Sequence, residues 1–558
     1  MKNINYFLGI IILLLITSSC DDSALVSTPR DFLTPSNAYN TPSGIEQGIT
    51  GLYNDVRDKW YRNRISSQSY GLFGMGTDVA YDGENPQGQR FLTNYQTSVT
   101  PQQEEIAQWW RYLYAEIQQA NTLIRAVNNL DENSIESSEK NHYLAEARFF
   151  RAFAHRLAVV LWGDVPLVTD VIEGEKTDFV RTPKADVYEQ IEKDLLFATE
   201  HLPVPGSEPA PGRLTQGAAW HLLTKAYLGQ DKFQLAVESS SHVIDDYNYE
   251  LMKERFGSQR DFMGPGNVYA DLFNYDNQNT SENTETIWAI QFEPNVEGGS
   301  SNYWAGIFGP RPSKWGNTPD GYAAYSPQFQ DSLGEGVARA RGTNLTNYKI
   351  WESDWNNDIR NAKINIKRKY YFDNPKSEYD GQVIKSSLYD AGDRTVWKDT
   401  SNYIYPFFLK TFSPVYQAQT LGINPAEGGG GSIYTDFYAM RLAETYLLRA
   451  EAHIGMGNKT LAAKDINVVR ERAEATPVSP GDVDIDYLLN ERVRELYTEE
   501  MRLIVLMRMD KLVERTREYN DNPFRQGANI QDHNKLFPIP QQQIDLNNNA
   551  EFKQNPGY

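Results

Sequence analysis

Residues Tyr438–Ala473, YAMRLAETYLLRAEAHIGMGNKTLAAKDINVVRERA, restrict the fold more tightly than any other part of the chain. Ala439, Leu442, Ala443, Tyr446, Leu447, Ala450 and Ile454 recur at three- and four-residue steps, which gathers them onto one apolar helix face. Gly455 and Gly457 then offer left-handed conformations that end a helix, and Asn458 is placed to cap the next one. Ala462, Ile466, Val469 and Ala473 continue an apolar face on a second helix, antiparallel to the first. The same device occurs earlier, where Ala226, Gly229 and Ala236 have the mutual spacing of Ala452, Gly455 and Ala462. Small residues at those points let two helices approach closely, as in tetratricopeptide-like helix pairs.

The N-terminal half has the same character. Ile45, Ile49, Leu52 and Val56 predict a helix over 44–61. Thr100-Pro101-Gln102-Gln103 reads as a helix start, with the helix running to about Leu130 behind Ile106, Trp110, Leu113, Ile117, Ala120, Ile124 and Val127. Tyr143, Ala147, Phe150, Ala154, Leu157 and Leu161 repeat the rhythm, a further helix covers 187–202, and a hairpin follows over 217–247. From about Gly257 to Gly431 the helical period fades, and Gly, Pro, Asn and aromatics rise. Six of the eleven tryptophans lie there, and Thr286–Phe292 alternates like a strand. Helix resumes over 487–516.

Two blocks of this chain resemble one family. R-L-A-E-x-Y-L-L-R-A-E-A (Arg441–Ala452) with I-N-x-V-R-x-R-A (Ile466–Ala473), and Y-L-A-E-A-R-F-F-R-A (Tyr143–Ala152) leading into W-G-D-V-P-L-V (Trp162–Val168), are similar to segments of the SusD/RagB family of outer-membrane glycan-binding lipoproteins. The closing F-P-I-P (Phe537–Pro540) and Q-N-P-G-Y (Gln554–Tyr558) agree with it. One departure is Val505, at a place where the family usually carries an aspartate, so that a buried ionic contact common in the family is expected to be missing. The resemblance implies a mainly α fold. A tetratricopeptide-like helical repeat scaffold over 44–256 and 432–558 would carry an inserted, loop-rich, irregular ligand-binding lobe over 257–431.

The first residues fit that reading. FLGIIILLLI (Phe7–Ile16) behind Lys2 is too short to span a bilayer, which takes about 20 residues, but suits a signal peptide over 1–19. Cys20 is the only cysteine, so it makes no internal disulfide; after small residues it resembles a lipoprotein cleavage site, with 20–43 as lipid anchor and tether. Asp21 and Asp22 resemble the surface-export signal of lipoproteins in this family, which implies a chain on the outside of the outer membrane. The formal charge of -20, or -21 once Lys2 leaves with the signal peptide, argues against nucleic acid as a partner.

The seven histidines make no metal-ligand spacing, and neither a nucleophile elbow nor a Walker A loop is present; no metal and no cofactor is expected. Gly428–Gly431 lacks the following Lys-Ser/Thr of a phosphate cradle. A sugar site needs flat aromatic faces with amides, carboxylates or guanidinium groups at their edges. Two loops offer that mixture. One is 76–89, with Asp78, Tyr81, Asp82, Asn85 and Gln89; the other is 301–322, with Tyr303, Trp304, Arg311, Trp315, Asn317, Asp320 and Tyr322. For each tryptophan the competing reading is a plug in the core of the second lobe. The basic run Arg360–Lys369 reads as a strand edge protected by lysines, or as a contact for an anionic polymer.

The function implied by the resemblance is non-catalytic capture of an oligosaccharide or polysaccharide and its delivery to a TonB-dependent, SusC-like transporter. Two alternatives stay open: a surface glycoside hydrolase, since 74 acidic residues leave many carboxylate pairs to choose from, and a binder of peptides or glycoproteins with the same architecture.

Overall fold

The computed structural model describes residues 38–62, 68–258, 260, 265–326, 336–384, 403–412 and 432–558. The expectations for residues 1–19, for Cys20 and for the glycine run 428–431 lie outside the described residues.

Helices α1 (Pro42–Val56), α2 (Glu104–Asn128), α3 (Ser137–Trp162), α4 (Lys184–His201), α5 (Gln216–Leu228) and α6 (Phe233–Asp245) each pack on the one before. Helix α7 (Leu442–Gly455) then packs on α6, as though the chain between Asp245 and Leu442 had been spliced out. Helix α8 (Lys459–Arg472) returns along α7, and α9 (Ile485–Leu496) also lies on α7. Helix α10 (Arg502–Arg508) reaches back to α3, with α11 (Leu512–Tyr519) behind it. This is the mainly α, tetratricopeptide-like scaffold that the periodicity and the resemblance imply. The apolar faces named above are its core: Ile45, Ile49, Leu52, Leu113, Ile117, Leu157, Leu447 and Val469 are fully buried.

Small residues set the distance between neighbouring helices. Ala226, Ala236, Ala452 and Ala462 are fully buried, and a Cβ on Gly455 would come within 2.5 Å of the Phe233 ring of α6. Gly455 is therefore there for close approach, as the last residue of α7; the left-handed turn falls to Gly457 alone of the pair (φ 74°), and Asn458 caps α8 by accepting from Leu461 N.

Three boundaries differ from the sequence expectation. Thr100–Gln103 forms a turn, Gln103 N donating to Thr100 O, and α2 starts at Glu104. The apolar run from 438 opens as a strand, because β6 (Phe437–Arg441) pairs antiparallel with β2 (Thr286–Ile290), Ile290 opposite Phe437 and Thr286 opposite Arg441. The expected helix over 487–516 is broken into α9, α10 and α11, with Thr498 (φ 71°) and Asp510 (φ 54°) left-handed at the breaks.

Between α6 and β6 the described chain holds β2, short helical turns and two-residue strands. Of these, β3 (Arg341–Gly342) pairs with β1 (Ala80–Tyr81), and β4 (Ile366–Lys367) with β5 (Phe407–Phe408). What ties this irregular region to the helices is charge. Arg441, at the end of β6, meets Glu285 (2.7 Å), Glu495 (2.6 Å) and Glu499 (2.6 Å). Arg472 of α8 pairs with the same Glu285 and Glu495, while Arg360 reaches Asp358, Glu491 and Glu495 at 2.7–2.9 Å. All these groups except Glu499 and Arg472 are at most 2% exposed, and Arg472 is 4% exposed. A buried carboxylate is tolerated because several guanidinium groups share it.

Burial pushes the Glu491 carboxyl up, but Arg360, Arg494 and Arg470 outweigh it and hold it down at about 2; Asp78, also buried, is held at about 2 by Arg502 and Arg515. Both values lie below those of an unfolded chain, so the unfolded state binds more protons in acid. Stability is expected to be fully present above about pH 4.5 and to fall steadily toward pH 2, which urea titrations at pH 7, 5, 4 and 3 will show. Glu495→Gln leaves three arginines short of their shared partner, and a loss of about 3–5 kcal/mol at pH 7 is expected in the same titration.

Candidate functional site

The loop 76–89 proves to be a structural pin. Asp78 is fully buried between Arg502 (2.6 Å) and Arg515 (2.8 Å), which joins the N-terminal part of the chain to α10 and α11. Tyr81 lies in β1, buried with the Arg341 guanidinium 5.2 Å from its ring centre. Asp82 is fully buried, accepts from Asn85 N and pairs with Arg90 (3.1 Å). Of the residues expected here to face a ligand, Gln89 and Asn85 are exposed, and the Gln89 carbonyl already accepts from Asn94 and Thr97. Asp78, Tyr81 and Asp82 are thus corrected to interior residues. The two carboxylates are tolerated in the interior because arginines supply the counter-charge, and the Tyr81 ring offers its face to the Arg341 guanidinium.

Trp304 is corrected in the same way. It is 1% exposed, stacked with Phe437 (ring centres 4.6 Å apart) and Phe308 (5.5 Å), and its indole N–H donates to Tyr61 O at 2.8 Å. An indole buried with its one donor satisfied is a core anchor. Tyr303 beside it is half-buried against the main core. Arg311 is half-buried and faces Glu84 at 3.6 Å. Glu84 also takes Arg90 (2.8 Å) and Arg339 (2.9 Å), so three arginines converge on one carboxylate between the loop 82–90 and the inserted region.

The remaining four expected residues sit together on one hairpin. Trp315 follows the helical turn Pro312–Lys314, and an isolated bridge pairs Asn317 with Ala323. Gly316 (φ 114°) and Gly321 (φ 91°) take conformations that other residues avoid, and they let the chain reverse tightly: Gly321 N donates to Thr318 O, and Ala324 N to Gly316 O. Trp315 is half-buried, packed on a small separate core of Ala324, Tyr325, Tyr370, Phe372, Ile384 and Ile404. Asn317 is exposed, and Tyr322 is 45% exposed. Asp320 is exposed, but its carboxylate is engaged: it accepts from Thr318, from Ser377 Oγ (2.8 Å) and from Glu378 N (2.9 Å), and these bonds hold it below the ordinary carboxylate range against a desolvation that raises it.

Beside the hairpin runs a segment that the sequence reading passed over. Asp373 N donates to Ala324 O (2.9 Å) and Ser326 N to Asp373 O (2.7 Å), so 323–326 and 371–374 lie side by side. Tyr371 on that segment is 45% exposed, between buried Tyr370 and Phe372. The signal was present: in K-R-K-Y-Y-F the aromatics alternate inward and outward with the period of a strand. The basic run just before it divides. Arg360 belongs to the buried ion network, Arg368 lies 4.8 Å from the Trp355 ring centre and bonds Asn361, and Lys363 and Lys369 are the exposed cations of the run.

Sequence comparison decides the lineage of this arrangement. The SusD family profile matches residues 284–558, and a SusD-like profile described as starch-binding, associating with the outer membrane, matches residues 30–228. The chain belongs to the SusD/RagB family. Within this family it is similar to SusD-like protein P25 of Formosa agariphila, 24% identical over 542 residues that span 95% of this chain and 94% of the relative. It is also similar to the starch-binding protein SusD of Bacteroides thetaiotaomicron, 26% identical over 434 residues, 74% of this chain and 72% of the other. A solved laminarin-binding SusD-like protein has the same fold, with a TM-score of 0.66 at 23% identity over 93% of this chain and all of that one. The SusD/RagB pattern of the sequence blocks thus marks the scaffold, where Tyr143–Val168 covers most of α3 and the turn after it, and Arg441–Ala473 covers α7 and α8.

The two tryptophans of the 301–322 loop are expected to separate cleanly by mutation. Trp304→Ala should cost about 3–5 kcal/mol in thermal or urea unfolding, whereas Trp315→Ala should cost about 1 kcal/mol.

Proposed function

We propose that this protein captures a polysaccharide at the cell surface through the hairpin 315–322 and the neighbouring strand at Tyr371, and passes it to a TonB-dependent transporter. The observation that carries the proposal is the pair of tyrosines, Tyr322 and Tyr371, each 45% exposed, flanked by half-buried Trp315 and exposed Asn317 on one small aromatic core. Exposed rings on a rigid base offer flat faces to the C–H side of a pyranose, and the adjacent amide supplies edge hydrogen bonds. The base is rigid because Asp320 staples the hairpin to Ser377 and Glu378. Relatives named for binding starch and laminarin favour a neutral glucan-like chain.

Binding without turnover fits the chemistry of these loops. Asp78 and Asp82 are tied to arginines, and Asp320 is held ionised by three donors. Asp78 and Asp320, both held below the ordinary carboxylate range, are poor general acids, since a glycosidase requires that group with a raised pKa. The inserted region 257–431 is the ligand lobe in this reading, the helices carry it, and a lipid on Cys20 tethers the whole to the outer membrane. No helix among the described residues is long and apolar enough to cross a membrane.

Affinity electrophoresis of residues 21–558 through gels containing laminarin, starch or an anionic polysaccharide tests this. Retardation by a neutral glucan is expected, weakened about tenfold, or about 1.4 kcal/mol, in Trp315→Ala and in Tyr322→Ala. Unchanged mobility in every gel, or release of reducing ends by the purified protein, would overturn it.

A further inference from the structure

A narrow cavity of about 40 Å³ lies where α3, α5, α7, α9 and α10 meet beside β6 and Tyr61. Its walls carry an imbalance of charge. Arg156 of α3 is 5% exposed, and its guanidinium makes no hydrogen bond or ion pair with any described residue; Nε in particular is buried and unpartnered. Arg492 of α9, fully buried, pairs through Nε and Nη2 with Glu500 (2.8 Å) and Glu444 (2.9 Å), but its Nη1 is likewise unpartnered. Arg360, Arg441, Arg470, Arg502 and Arg515, each buried to 2% or less, all have carboxylate partners.

The carboxylates around the cavity are already committed. Glu444 accepts from His221 (3.0 Å), Lys225 (2.9 Å) and Arg492, Glu499 pairs with Lys410 and Arg441, Glu500 pairs with Arg492 and Arg502, and nearby Glu451 takes Arg508. Val505, on α10, makes its part of the wall apolar, with no acceptor to offer Arg156. A buried lysine could shed its proton, but a guanidinium keeps its charge at any accessible pH. Leaving such a charge unmatched in the interior costs several kcal/mol.

We propose that this cavity is a small-anion site, taking one halide-sized monovalent anion, chloride in an ordinary medium, between the guanidinium of Arg156 and Nη1 of Arg492. A water molecule would meet the N–H directions but leave the charge standing. Sulfate or phosphate would set a second negative charge against Glu444, Glu499 and Glu500. The half-buried rim of Lys225, Ala439 and Met501 provides a route in, with a lysine on it to favour anions.

The test uses the whole soluble protein in sodium chloride, sodium bromide and sodium gluconate at equal ionic strength. Chloride and bromide are expected to raise the melting temperature over gluconate, saturably and by about 2 °C at ten times the half-saturating concentration. Arg156→Met should abolish the difference between salts. Crystals of the unaltered protein grown in bromide should show an anomalous peak within hydrogen-bonding reach of Arg156 and Arg492, a readout that stands even where the variant does not fold. Equal melting in the three salts, or a cavity holding water without bromide, overturns the proposal.

Discussion

Arg441 stands at the last residue of β6 and shares Glu285 and Glu495 with Arg472 of α8, and Glu495 with Arg360 from the inserted region. Three guanidinium groups and two carboxylates from distant parts of the chain thus occupy one dry volume. None of them is bearable there alone, because desolvating an isolated charge costs more than any single pairing returns. The knot therefore forms as a unit or not at all. It fixes β2 against β6, sets the exit of the inserted region, and orients α7 for packing on α6. A second knot, Asp78 between Arg502 and Arg515, does the same for the N-terminal part of the chain.

These knots explain how a long irregular insertion coexists with a helical stack. Helices α6 and α7 pack as neighbours although the chain between them is the least regular part of the molecule. Antiparallel pairing of β2 with β6 closes that excursion. Close helix contact at Gly455 against Phe233 leaves no room for the insertion to intrude. The hairpin at 315–322 consequently rests on its own small aromatic core, separate from the main one. Surface loops on a rigid base are where recognition residues collect in folded proteins.

The scaffold was legible in the sequence because helical periodicity is local: the faces through Ile45, Leu113, Leu157, Leu447 and Val469 are all buried as their spacing predicts. Boundaries were less so. A short break turning on one left-handed residue, Thr498 or Asp510, looks like continuous helix in a pattern of apolar steps, and the strand Phe437–Arg441 shares its residues with a good helical face. The candidate site was legible in part. Trp315, Asn317, Asp320 and Tyr322 do share one hairpin, and Tyr371 was encoded in a two-residue alternation. Trp304 and Asp78 were not distinguishable from ligand-facing residues by spacing, since their partners, Phe437 and Arg502, lie more than a hundred positions away.

The amino-acid sequence by itself determined the class of the fold, its helix pairs, its family and the location of an aromatic-rich loop, because each of these is written in residues a few positions apart. Only the tertiary structure decided which charged and aromatic side chains face water. Burial of Asp78, Arg360 or Trp304 depends on whether a counter-charge or a stacking ring arrives from elsewhere in the chain, and that pairing is a property of the folded core rather than of any local run of residues.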